Sequence, residues 1–218
     1  MWLTLTILGL LLAIKINTPF FCMMLWLWVM GIVYNLNPIR TKDIPILDVL
    51  SESINNAIRL LAGWFMVSSL TIPPVSLIAG YWMGGAFLMA IKRYAEYRMI
   101  GDPETAGKYR KSFKFYSEKF LLVSAFFYAM CSVFLMGIFM IKYRIELVLF
   151  VPGMIGLFCY YFTLSFEQDS SVQKPEKLYH ERGLMCYLAF LIFLFALLMV
   201  VDIPEMKLLT DSSLIKLW

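Results

Sequence analysis

Apolar runs broken only by short polar links constrain this chain more than any other feature. Reading between charged breaks gives seven such runs: 1–14, 19–34, 54–72, 75–91, 120–141, 145–166 and 183–202. A membrane-crossing helix needs roughly 20 mostly apolar residues, with a range of about 17–25. Of the 218 residues, 61% are hydrophobic and 16% charged, and mean hydropathy is +0.76. A soluble domain is about half apolar and a quarter charged. The balance excludes a soluble enzyme, a disordered tail and a nucleic-acid module. It predicts an all-α, polytopic transmembrane bundle of about seven spans over 1–202, followed by a C-terminal tail over 203–218. Residues 1–14 carry no Lys or Arg ahead of their apolar stretch and no small-residue cleavage site, so they read as a span rather than a secretory signal.

Charge placement orients the bundle. With seven spans, loops 35–53, 92–119 and 167–182 share a side with the N-terminus. They hold 13 Lys and Arg, against 5 on the opposite side. The positive side faces the cytoplasm, so the N-terminus is expected to be cytoplasmic and the C-terminus outside. Cys22, Cys131, Cys159 and Cys186 all lie in apolar runs and form no CxxC pair, which argues against a disulfide framework or a zinc site. His180 is the single histidine. Gly80-x-x-x-Gly84, with Gly85 beside it, reads as a helix-packing pattern.

Polar residues concentrate in two places. Asp48, Glu52, Asn55 and Arg59 follow each other at spacings that share one helix face, with Asn56 beside them. A charge at membrane depth costs roughly 2.5–3.5 kcal/mol on insertion scales, so Arg59 must face the bundle interior or a wet cavity. Two roles fit it: a structural pairing with Glu52 or Asn55, or contact with an anionic ligand in a cavity open to the cytoplasm. The second concentration is Lys92-Arg93-Tyr94-Ala95-Glu96-Tyr97-Arg98, continued by Lys108, Arg110, Lys111 and Lys114. Asp102-Pro103-Glu104 between them predicts a helix start, with Asp102 as N-cap. Lys92/Glu96 and Lys114/Glu118 are spaced as i,i+4 pairs. A solvated, positive-inside loop accounts for most of this charge. Alternation of Tyr94, Tyr97, Tyr109 and Tyr116 with Arg and Lys suits instead a diphosphate or phosphosugar against an aromatic wall. In the last loop, Glu167 and Asp169 read as a solvated cap, and Pro175 as a helix start.

These residues resemble the UbiA superfamily of intramembrane prenyltransferases. Tyr34-Asn35-Leu36-Asn37-Pro38-Ile39-Arg40-Thr41-Lys42 is similar to the family's link after its fourth helix, and the likeness continues from Leu47-Asp48 to Arg59-Leu60-Leu61-Ala62-Gly63. Lys92-Arg93-Tyr94-Ala95-Glu96, with Arg110-Lys111-Ser112 downstream, resembles the branch containing decaprenyl-phosphate phosphoribosyltransferase. The resemblance implies the last seven of nine helices, in a bacterial inner membrane. It also implies transfer of a prenyl or phosphoribosyl group involving a polyprenyl phosphate or diphosphate, with Mg²⁺ as cofactor and membrane lipid as surroundings. Glu96 and Arg59 would be catalytic, Glu96 orienting a cation or ligating the metal. Asn55, Asn56, Lys92, Arg93, Tyr94, Arg98, Arg110 and Lys111 would bind substrate. The family's first aspartate-rich motif, of the form NDxxDxxxD, would fall upstream of Met1. The chain is therefore expected to be N-terminally incomplete, with little Mg²⁺-dependent transfer of its own. A transporter or assembly subunit is the competing class. Transporters show paired, interrupted half-helices in related repeats, and no such repeat is visible.

Overall fold

The apolar runs become helices whose ends are set by identifiable caps. The computed structural model describes residues 2–167, 170–173 and 175–209. The α-helices are α1 (Trp2–Ile16), α2 (Thr18–Asn35), α3 (Leu47–Val67), α4 (Val75–Ile100), α5 (Pro103–Tyr109), α6 (Glu118–Tyr143), α7 (Val151–Leu164), α8 (Pro175–Leu178) and α9 (Arg182–Val200). Short 3₁₀ turns sit between them, among them Thr41–Asp43, Lys111–Phe115 and Ile145–Phe150. Among the described residues, five stretches are long and apolar enough to cross a membrane by length and composition: Thr18–Asn35, Val75–Ile100, Glu118–Tyr143, Ile145–Leu164 and Arg182–Val200. Leu3–Ile16 is a shorter apolar helix. The chain is an integral, multi-pass membrane protein.

Asn17 explains the first turn. Its Oδ1 accepts from Phe20 N at 2.8 Å, capping α2, while its Nδ2 donates to Phe65 O at 2.7 Å, tying the α1–α2 turn to the end of α3. Asp102 caps α5 as the sequence predicts, its Oδ2 accepting from Thr105 N at 2.8 Å and from Thr105 Oγ1 at 2.6 Å. These two bonds hold the Asp102 carboxyl below the usual aspartate range. Gly101 ends α4 at φ 71°, a left-handed conformation that only glycine takes without a Cβ penalty.

The helix α3 differs most from expectation. It starts at Leu47 and stops at Val67, where apolarity alone suggested 54–72. Its first two turns are amphipathic, so a search for apolar runs passes over them. Beyond Val67 the chain satisfies its polar groups locally instead of continuing the helix. Ser68 Oγ lies 2.7 Å from Thr71 Oγ1, and Trp64 Nε1 donates to Thr71 O at 2.9 Å. Pro73 then biases Ile72 away from helix.

The chain divides into two compact units, Met1–Ser132 and Val133–Trp218. In the first, α2 packs on α3 and α3 on α4, while Ser132 Oγ donates to Gly80 O at 2.9 Å. Ala86, Ala90 and Ala125 are fully buried, small residues that let helices approach closely. Gly85 lies close against α3. A Cβ there would lie 2.6 Å from Asn56 Nδ2. In the second unit, Arg144 gathers the C-terminal end of α9. Its Nε donates to Leu198 O at 2.7 Å and its Nη2 to Val201 O at 2.9 Å, with Asp202 Oδ1 at 3.0 Å. A cation at this end also complements the helix dipole. Buried Glu146 accepts from Ile203 N at 3.3 Å. All four cysteines are free thiols.

Candidate functional site

One end of the first unit gathers charge that would be unstable in isolation. Asp48, one residue into α3, is completely buried. A buried carboxylate needs donors for its lone pairs, and four groups from distant parts of the chain approach it. Tyr116 Oη donates to Oδ1. Ser112 Oγ donates to Oδ2 at 3.0 Å, Arg110 Nη1 at 3.4 Å, and Arg93 Nε lies 3.7 Å away. Arg93, itself 3% exposed, also donates through Nη2 to Glu52 Oε2 and through Nη1 to Glu96 Oε2 at 3.0 Å. Tyr34 Oη closes the network. It donates to Glu52 Oε2 at 2.7 Å and accepts from Arg110 Nη2 at 3.0 Å and Arg93 Nη2 at 3.4 Å.

Local folding puts each group in place. The 3₁₀ turn Lys111–Phe115 drops Ser112 and Phe113 into the core, where Phe113 packs with Tyr94, Ala106, Tyr116 and Leu121. Tyr116 Oη also accepts from Ile46 N at 2.6 Å. Ile46 sits at φ 68°, a costly conformation for a β-branched residue, so Tyr116 pins a strained backbone next to Asp48. Burial first, then the Asp48 carboxylate, push the Tyr116 phenol well above its ordinary range.

The expected site residues separate into layers. Arg93 and Arg110 face inward to carboxylates and the Tyr34 hydroxyl. Lys92, half-buried, points elsewhere, because successive helix residues are about 100° apart. Lys111 is largely exposed and lies 3.4 Å from Asp43 Oδ2. Tyr94 is buried at 1%, its ring in the core rather than on an open wall, and its hydroxyl accepts from exposed Arg98 at 2.9 Å. Glu96 pairs with Arg93 instead of Lys92, and Lys108 bonds Glu104 at 2.8 Å. Down α3, Asn55 is half-buried with its Oδ1 unbonded, and exposed Arg59 donates to Asn56 Oδ1 at 3.3 Å. The shared face therefore runs from fully buried Asp48 to open Arg59. Loops 35–53 and 92–119 meet at this end. Loop 167–182 belongs to the second unit, and its Gln168, Asp169 and Lys174 lie outside the described residues.

Because Asn56 reaches across to Gly85, the two positions should be coupled. Gly85→Ala is expected to be neutral or destabilising, since the new methyl displaces the Asn56 amide that holds Arg59. In an Asn56→Ala background the same change should stabilise by up to about 1 kcal/mol, the helix preference of Ala over Gly. Unfolding of the four proteins in detergent checks this; equal effects of Gly85→Ala in both backgrounds would refute the coupling.

Comparison with known proteins decides the family. The UbiA prenyltransferase family matches residues 1–194. The chain belongs to that family. Its fold agrees with two solved structures of a UbiA homologue from Archaeoglobus fulgidus. The one bound to Cd²⁺ aligns with TM-score 0.63 and 21% identity, over 91% of this chain and 71% of that one. The other aligns with TM-score 0.64 and 20% identity, over 91% and 70%. No curated protein matches the chain.

The Mg²⁺ implied by the UbiA resemblance can be tested against the donor set. Mg²⁺ requires a near-octahedral shell of oxygens at roughly 2.0–2.1 Å. Among the described residues, no group of three or more His, Cys, Asp and Glu side chains could hold a metal ion. The carboxylates at this end are instead engaged by Arg93, Arg110 and hydroxyl donors. The described residues do not fit Mg²⁺.

The catalytic and substrate-binding residues expected from sequence leave out Tyr34, Asp48, Glu52, Ser112 and Tyr116. Asp48 and Glu52 were visible as charges at a helix start. Tyr116 stands among the tyrosines that alternate with Arg and Lys, and Tyr34 and Ser112 stand in the family-like stretches, but no pattern assigns their hydroxyls to Asp48 and Glu52.

Proposed function

We propose that this end of the first unit binds the phosphate of a polyprenyl lipid, and that the protein transfers a phosphoribosyl group to that phosphate, as in the decaprenyl-phosphate phosphoribosyltransferase-like branch. The observation that carries the reading is the division of the basic block. Arg93 and Arg110 are consumed by an internal network, while Lys92 on the same helix is half-buried and Lys111 beside Arg110 is largely exposed. Fixed inner charges hold the helix ends in place, and Lys92 and Lys111, which lie outside that network, can turn to phosphate oxygens. In the reaction, a lipid phosphate oxygen forms a bond to the anomeric carbon of the donor as the bond from that carbon to diphosphate breaks. The electron pair leaves with diphosphate. Asn55, Asn56 and Arg59 line the polar face below, with Arg59 a candidate for contacting the reacting groups. Glu96 orients Arg93. The lipid tail lies against the apolar helices, and the basic end faces the cytoplasm by the charge asymmetry of the loops.

Binding of polyprenyl phosphate to the protein in lipid nanodiscs tests the reading. Binding should be saturable, at least tenfold weaker for the uncharged polyprenol, and about tenfold weaker in Lys92→Ala/Lys111→Ala. The expected loss follows from charge-assisted bonds of about 1.5–3 kcal/mol. Equal binding of polyprenol, or unchanged binding by the double variant, would overturn it. Radiolabel transfer to lipid from a phosphoribosyl diphosphate, compared with a prenyl diphosphate, identifies the transferred group.

A further inference from the structure

Asp48 and Glu52 lie one turn apart on α3, and Glu96 follows Arg93 by one turn on α4. All three carboxylates meet the same guanidinium, at its Nε, Nη2 and Nη1 respectively. Three carboxylates around one point repel one another, and a compact cation is the usual remedy. Here the point is filled by a cation that cannot dissociate. Arg93 is 3% exposed, is anchored to α4 by its own side chain, and keeps its charge at any physiological pH. Arg110 offsets Asp48 from the other side, so these five groups carry three negative and two positive charges. Without Arg93, three carboxylates would face a single remaining guanidinium.

We propose that Arg93 is a built-in counter-ion standing in for a divalent cation at this end of the UbiA bundle, so that the carboxylates of α3 and α4 take up no metal in the native protein. The site is the one assigned above to a lipid phosphate, and the metal titration below decides the counter-ion question whether or not that lipid binds. Guanidinium is suited to the role because its planar fork offers several N–H donors at fixed angles, matching acceptors that arrive from two helices. The consequence is that this end of the protein keeps its form in chelator. The helix ends that a metal would otherwise join are joined by Arg93.

The test is Mn²⁺ binding followed by electron paramagnetic resonance on the purified full chain in detergent, for wild type, Glu52→Gln, Glu96→Gln and Arg93→Met. Mn²⁺ uptake by wild type should be unchanged by either Gln substitution. Arg93→Met should gain a site at least tenfold tighter than anything in wild type, lost again in Arg93→Met/Glu52→Gln. If wild type binds Mn²⁺ and either Gln variant loses it, the proposal is overturned. A folded Arg93→Met that gains no site overturns it too. Should Arg93→Met fail to fold, the comparison of wild type with the two Gln variants decides by itself. Unchanged uptake then supports the built-in counter-ion and reduced uptake rejects it.

Discussion

Asp48→Ala is expected to lower stability by about 3–5 kcal/mol, the range for breaking a buried ion pair by removing one partner. The residue is 0% exposed and accepts from Tyr116, Ser112 and Arg110, with Arg93 Nε nearby. Its loss leaves the Tyr116 and Ser112 hydroxyls without their acceptor and takes one carboxylate from Arg93 and Arg110, which keep Glu52, Glu96 and the Tyr34 hydroxyl. The change also unties the segment 110–116 from the start of α3, two parts of the chain with no covalent reason to stay together. Asp48→Asn should be milder, because an amide oxygen still accepts from Tyr116 and Ser112 while only the charge is lost. Chemical unfolding in detergent measures both. A wild-type midpoint for Asp48→Ala would mean that the network contributes little and that helix packing alone holds this end.

Tyr116→Phe is expected to cost about 2 kcal/mol, the scale of a hydrogen bond to a charged group. It removes the donor to Asp48 and leaves Ile46 N without its acceptor. The effect has a pH signature. The Tyr116 phenol is raised in the fold above its ordinary value of 10.0. Below that value both folded and unfolded states keep the proton, and stability from this group is constant. As pH rises through the unfolded value, the unfolded chain loses its proton while the folded chain keeps it. The unfolded state then binds fewer protons, and stability falls with pH. Wild type should therefore lose more stability than Tyr116→Phe between about pH 9.5 and 11. Parallel pH profiles for the two proteins would contradict the burial of this phenol against Asp48.

Much of the fold could be read before any coordinates. The runs 19–34, 120–141 and 183–202 end within a few residues of α2, α6 and α9, because membrane helices are defined by apolarity over a fixed length. The same criterion misjudged α3, whose buried polar start is invisible to it. The site was legible as a set of charges but not as a set of partners. Lys92 and Arg93 are neighbours in sequence, yet one is half-buried with no carboxylate among the described residues paired to it and the other is enclosed by three. That difference is a matter of helix phase against α3, which no local pattern fixes. Tyr94 was expected to offer a ring to a ligand, but Ala106 and Phe113 enclose it. The contacts that enclose it join residues far apart in the chain, beyond the reach of spacing arguments.

The polar character of α3 has a consequence for how the protein is made. Asp48, Glu52, Asn55, Asn56 and Arg59 leave this helix outside the set that is apolar enough to cross a membrane unaided. As it emerges from the ribosome it has no favourable partition into lipid of its own. Its partners lie on both sides in the chain: α2 precedes it, and α4 follows with Arg93 and with the cleft at Gly85 that receives Asn56. Insertion of α3 is therefore expected to wait for α4, the two entering the membrane as a hairpin. Shortening the nascent chain to end before Arg93 should leave α3 accessible to aqueous labelling, whereas extending it past Arg110 should seal it.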